Sequence, residues 1–166
     1  MGYVLLLGGA RSGKSSRAVQ AAVESGLPVT FIATAEALDA EMAARIEQHR
    51  STRQGDWSVV EEPIDLVGAI SRTGGFVVVD CLTLWVSNLL GAGHESSEVL
   101  ALAERAAALL AQRDGVVVSN EVGLGIVPAN ELARTFRDVL GSVNAVFARC
   151  ASRSLFMVAG RALELT

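Results

Sequence analysis

The sequence predicts an α/β fold: a mostly parallel central sheet flanked by helices, in a single domain covering residues 1–166. Three observations point to it. Short apolar runs alternate with longer segments of helical periodicity, the order expected when parallel strands are joined by crossover helices. Two of those runs, Val77-Val78-Val79 and Val116-Val117-Val118, are continuous rather than alternating, which fits strands covered on both faces. A glycine-rich segment, Gly8 to Gly13, lies between the first apolar run and the first helical pattern.

In chain order, Tyr3 to Leu7 reads as the first strand and Ser15 to Ser25 as the first helix, stopped by Gly26 in the left-handed position after its last turn. Val29 to Ala33 reads as the second strand. A helix is expected from Leu38 to about Arg53, with Leu38, Met42 and Ile46 forming an apolar stripe that His49 extends. Trp57 to Val60 adds a short strand, and Phe76 to Asp80 a buried one. Helices follow at Thr83 to Leu90 and Ser97 to Arg113, then a strand at Val116 to Ser119. The last helix is expected from Ala129 to Ser152, with Pro128 suited to its first turn because no N–H is needed there. Leu155 to Ala159 forms another strand, and Leu163 to Leu165 closes an edge.

Composition narrows the function classes. Apolar residues are 51% and charged residues 19%, which excludes intrinsic disorder. Fourteen basic and 18 acidic residues leave a net charge of −4, against the basic surface that nucleic-acid backbones require. No apolar run approaches the roughly 20 residues that span a bilayer. Nothing at the amino terminus resembles a signal peptide, and Cys81 and Cys150 are too few for a disulfide framework or a zinc site, so a cytoplasmic protein with reduced thiols is expected. Of the 14 basic residues only one is lysine, Lys14.

That lysine falls in Gly8-Gly9-Ala10-Arg11-Ser12-Gly13-Lys14-Ser15, which matches G-x-x-x-x-G-K-[ST] between a strand and a helix. Small residues let backbone N–H groups converge on phosphate oxygens, and the helix adds its positive dipole end. Lys14 would reach the β- and γ-phosphates, and the Ser15 hydroxyl would ligate Mg²⁺. The fold expected is therefore a RecA-like P-loop NTPase. Such an enzyme needs an acidic residue at the end of a nearby strand, and Asp80 supplies one; capping the next helix is its other reading. Asn120 and Glu121 end another buried strand at the edge where open parallel sheets bind ligands, either as phosphate or substrate contacts or as turn residues. By periodicity alone His49 is a packed histidine, while His94, in a glycine-rich loop, reads as solvated.

The P-loop, Ile32-Ala33-Thr34-Ala35, and Asp39-Ala40-Glu41-Met42-Ala43-Ala44-Arg45-Ile46 with His49 together resemble one family. It is the bifunctional adenosylcobinamide kinase / adenosylcobinamide-phosphate guanylyltransferase of cobalamin biosynthesis. The likeness continues through Trp57, Glu61, Asp80-Cys81-Leu82-Thr83, Asn88-Leu89-Leu90 and Ser119 to Pro128, nearly the whole chain. It implies two reactions: phosphorylation of the aminopropanol hydroxyl of adenosylcobinamide by GTP or ATP, then transfer of GMP from GTP to the product through a guanylylated histidine. The matching position is His49; some relatives carry two adjacent histidines where this chain has Gln48-His49. Arg50, Ser51, Thr52 and Glu61 are implied nucleotide contacts, Ala33 to Ala35 are expected to line the same pocket, and a homotrimer is implied.

Two other readings remain open. One is a P-loop kinase of another small alcohol with no guanylyl transfer. The other is a GTP-dependent switch, against which stands the lack of an Asn-Lys-x-Asp guanine motif: Lys14 is the only lysine.

Overall fold

A computed structural model describes residues 1–36 and 56–166. The helix expected over 38–53, with His49, Arg50, Ser51 and Thr52, lies outside the described residues.

The described elements are β1 (Tyr3–Gly8), α1 (Lys14–Glu24), β2 (Val29–Ala33), β3 (Ser58–Glu61), α2 (Leu66–Arg72), β4 (Phe76–Asp80), α3 (Leu82–Gly91), α4 (Ser96–Leu110), β5 (Gly115–Val118), α5 (Glu131–Cys150), β6 (Arg153–Val158) and β7 (Arg161–Leu165). The strands form a sheet in the order β3-β2-β4-β5-β1-β6-β7. Every neighbouring pair is parallel except β6 with β7, which is antiparallel at the edge.

Side chains alternate between the two faces of each strand, so each valine run feeds two cores. Leu5, Val77, Val79 and Val117 pack with α2, α3, α4 and α5 on one face; Leu6, Val78, Val116 and Val118 pack with Ala18 and Ala22 of α1 on the other. That double cover is why these strands read as unbroken apolar runs. α1 ends as expected, with Gly26 at φ 63° just past its last turn.

Register decides which residues meet at the carboxyl edge. Glu61 lies opposite Ala33, Ala33 opposite Asp80, Asp80 opposite Val118, and Val118 opposite Leu6. Residues 19 to 112 positions apart in sequence thus share one row, with Gly8 and Asn120 two residues beyond Leu6 and Val118 along the chain.

Two expectations about elements are corrected. α5 does not begin at Ala129 with Pro128 in its first turn: it begins at Glu131, where the Asn130 side chain accepts a hydrogen bond from the Ala133 N–H at 2.7 Å. A carboxamide that satisfies an orphan amide out-competes a proline that merely tolerates the position, so the helix starts at Asn130. Pro128 stands outside it, its carbonyl accepting from the Arg134 guanidinium at 3.1 Å. α2 was not anticipated; Asp65 caps it by accepting from the Gly68 N–H at 2.9 Å.

Candidate active site

The P-loop is a backbone object, and two of its glycines have no substitute. A Cβ on Gly8 (φ 153°) would lie 2.4 Å from the Met157 carbonyl oxygen of β6. A Cβ on Gly13 (φ 98°) would lie 3.1 Å from Gly160 Cα in the β6–β7 turn. That turn is also bonded to the loop, since the Gly160 N–H donates to the Ser12 carbonyl at 2.9 Å. The hairpin at the end of the chain therefore braces the loop at its beginning, a contact with no signal in the motif.

Lys14 is buried at the start of α1, and its Nζ donates to the carbonyls of Gly8 (2.9 Å) and Gly9 (2.6 Å) and approaches Ser12 Oγ at 3.3 Å. Burial lowers its pKa from the ordinary lysine value, and the ionisable groups Cys81 and Asp80 beside it oppose that shift. Burial, with Asp80 beside it, pushes the Cys81 thiol up to about 11. At neutral pH Cys81 is therefore an uncharged thiol, and the negative charge acting on Lys14 is that of Asp80.

Asp80 ends β4, half-buried, and its carbonyl accepts from the Thr34 N–H at 3.1 Å. The N-cap position of α3 is held by the next residue, Cys81. Ser15, in the first turn of α1, is half-buried. The Ser15 hydroxyl and the Asp80 carboxylate are hard oxygen donors. That donor set fits Mg²⁺, which keeps several waters and binds through one or two protein oxygens plus substrate phosphates.

Of the residues expected to line the pocket, Ala33 is buried at the end of β2 and Ala35 is half-buried. Thr34 is fully buried, and its hydroxyl donates to the Cys81 carbonyl at 2.7 Å and accepts from the Cys81 N–H at 2.9 Å. Its side chain locks β2 to the end of β4. Asn88 of α3 extends this brace, donating to the carbonyls of Thr34 (2.8 Å) and Pro63 (3.2 Å). Glu61 ends β3, exposed, in the same register row as Asp80. Asn120 and Glu121 are half-buried, and the Glu121 N–H donates to the Gly8 carbonyl at 3.2 Å, which places them directly against the P-loop. His94 is half-buried beside Glu98, Nδ1 to Oε2 3.5 Å, in the turn before α4.

The structure thus brings Gly8 to Ser15, Ala33 to Ala35, Glu61, Asp80, Asn120 and Glu121 to one edge of the sheet. Sequence reasoning missed Gly160, which bonds to the P-loop, and Thr83 and Asn144, whose side chains hold the Asn120 main chain. Asn144 carried a signal, a polar residue on the otherwise apolar face of α5.

Solved structures share the fold at low identity. A protein from Pyrococcus horikoshii OT3 aligns with TM-score 0.56 and 11% identity, covering 98% of this chain and 85% of that one. A prototypical ATPase from the type III secretion system of pathogenic bacteria aligns with TM-score 0.54 and 9% identity, covering 93% of this chain and 50% of that one. Sequence relatives go further. The bifunctional adenosylcobalamin biosynthesis protein CobP of Pseudomonas aeruginosa is 43% identical over 169 residues, covering 97% of this chain and 95% of its own. The bifunctional adenosylcobalamin biosynthesis protein CobU of Salmonella typhimurium is 38% identical over 179 residues, covering 98% of each. The family model for cobinamide kinase / cobinamide phosphate guanyltransferase matches residues 4–165, and with a P-loop, a strand-end aspartate and the Asn120–Glu121 turn assembled at one edge, the chain belongs to that family.

Proposed function

We propose that this chain phosphorylates the aminopropanol hydroxyl of adenosylcobinamide and then transfers GMP from GTP to the resulting phosphate, giving adenosylcobinamide-GDP. The observation that carries the reading is the family match across residues 4–165, joined to the P-loop and its strand-end carboxylate. Residues 1–166 act as one catalytic domain.

In the kinase step the substrate hydroxyl oxygen bonds to the γ-phosphorus and its proton passes to water, the bond to the β-phosphate bridging oxygen breaks, and the nucleoside diphosphate leaves. The P-loop amides and Lys14 hold the phosphates and stabilise the charge that develops on them. Ser15 and Asp80 would hold a Mg²⁺ ion, whose charge supplies further neutralisation of the phosphate oxygens. Asn120 and Glu121, bonded to the loop through Gly8, orient the acceptor. GTP or ATP serves as donor.

In the second step a neutral imidazole nitrogen of His49 bonds to the α-phosphorus of GTP and pyrophosphate leaves. A phosphate oxygen of the acceptor then bonds to that phosphorus, the P–N bond breaks, and the imidazole is restored. Ala33 to Ala35, Arg50, Ser51, Thr52 and Glu61 contact the nucleotide. The active form is a homotrimer, testable by sedimentation, and its place is the cytoplasm, consistent with two free cysteines.

Incubation with Mg²⁺ and GTP labelled at the α-phosphate, followed by denaturation, tests the covalent step. Wild type should carry acid-labile, base-stable label, and His49→Ala should carry none. An unlabelled wild type removes the guanylyltransferase and leaves a kinase of a small alcohol. A fully labelled His49→Ala moves the nucleophile elsewhere.

A further inference from the structure

One buried polar cluster at the carboxyl edge has no part in the reactions above. Ser119, Asn144 and Thr83 are 0%, 5% and 9% exposed. Asn144 sits on α5 among the buried side chains Leu140, Val143 and Phe147, on the face that packs against the apolar core shared with α3 and α4. An aliphatic side chain would fill that position without partners, whereas a buried carboxamide must find them.

Its partners converge on one residue. The Ser119 hydroxyl donates to Asn144 Oδ1 at 2.6 Å, and Asn144 Nδ2 donates to the Asn120 carbonyl at 3.0 Å. The Asn120 N–H donates to Thr83 Oγ1 at 2.8 Å. Both main-chain groups of Asn120 are therefore held by side chains, from two different helices, beyond the point where β5 ends at Val118. The next amide, of Glu121, donates to the Gly8 carbonyl at 3.2 Å, and the same carbonyl accepts from Lys14 Nζ at 2.9 Å. A continuous chain of bonds runs from the middle of α5 through Asn120 and Glu121 into the P-loop.

We propose that Asn144 is a positioning residue for phosphoryl transfer: by holding the Asn120 main chain it sets where Asn120 and Glu121 stand relative to the phosphates. The inference rests on the reading that these two residues face the acceptor. A site of this kind is sensitive to small displacements, since a misplacement of about 1 Å can cost roughly 10²-fold in rate.

Asn144→Asp is the most direct variant. When ionised it keeps the acceptor for Ser119 and replaces the donor to the Asn120 carbonyl by a second acceptor. A protonated carboxyl would restore the donor, so Asn144→Leu, which has neither group, is the deciding variant. We expect kcat for cobinamide phosphorylation to fall about ten- to a hundredfold. The Kd for GTP, measured by calorimetry, should stay within about twofold of wild type, because the P-loop has its own bonds. Hydrogen exchange at the Asn120 and Glu121 amides should quicken while the rest of α5 stays protected. Asn144→Leu should behave alike, and Ser119→Ala, which removes one bond and little volume, covers the case in which neither Asn144 variant folds; it should show the same faster exchange with a smaller loss of kcat.

A folded Asn144→Leu, or failing that Ser119→Ala, with wild-type kcat and wild-type exchange overturns the proposal. So does a loss of kcat matched by an equal loss of GTP affinity, which would mark a general structural role. If wild type itself transfers no phosphoryl group to cobinamide, the proposed function fails, and the exchange measurement alone then decides whether Asn144 holds Asn120.

Discussion

Lys14 and Cys81 stand near the same carboxylate, and burial moves their protonation in opposite directions. Burial lowers the Lys14 pKa and raises that of Cys81, from 9.0 to about 11, because each charged form is desolvated. Asp80 opposes the first shift and adds to the second. A reactivity follows for Cys81. At pH 8 its thiolate fraction should be roughly a hundredfold below that of a thiol at 9.0, so alkylation by iodoacetamide in a Cys150→Ser background should be slower by about that factor. A rate equal to that of an open thiol would contradict the burial argument. The linkage sign is fixed as well: the folded pKa is raised, so the thiol's contribution to stability is complete below pH 9.0 and is lost as pH climbs through about 11. Individual site residues were legible to different degrees. Gly8 to Ser15 and Asp80 were readable because their chemistry fixes residue type and spacing. The inward turn of the Thr34 hydroxyl was not, since it depends on β2 lying beside β4.

Among the elements, the buried strands β2 and β4 were legible residue by residue, because burial on two faces leaves little latitude in composition, whereas the exposed edge strand β7 begins at Arg161 rather than Leu163. Helix starts were also less legible. Pro128 and Asn130 offered competing signals for α5, and the side-chain hydrogen bond prevailed. Asn130→Ala should therefore lower stability by about 1 kcal/mol. For a chain of this size that is a fall in Tm of roughly 2–4 °C, measurable by circular dichroism. A Tm unchanged in Asn130→Ala would show that the cap bond contributes nothing. α2 escaped notice because seven residues make barely two turns, too few for a helical period to stand out, and only the Asp65 cap marks it.

For the molecule as a whole, ligand linkage gives the broadest check. GTP with Mg²⁺ at about 100 times its Kd should stabilise the folded chain by ~2.7 kcal/mol. That corresponds to a rise in Tm of roughly 5–10 °C. Lys14→Ala should lose most of the rise, since the only lysine then no longer meets the phosphates. A thermal shift in Lys14→Ala equal to that of wild type would place nucleotide binding outside the P-loop.

The sequence by itself determined the α/β class, the approximate strand positions, the glycine-rich loop between β1 and α1 and the family likeness that the relatives bear out, because each rests on local residue type and spacing. Only the tertiary structure decided which of those residues stand together. Strand order placed β5 between β1 and β4, and register then set Asp80, Ala33 and Glu61 in one row, with Asn120 and Gly8 just beyond it. The same packing turned the β6–β7 hairpin onto the P-loop and aimed Asn144 at the Asn120 carbonyl. Such contacts join residues far apart along the chain, so they follow from how the helices cover the sheet and leave no pattern in the local sequence.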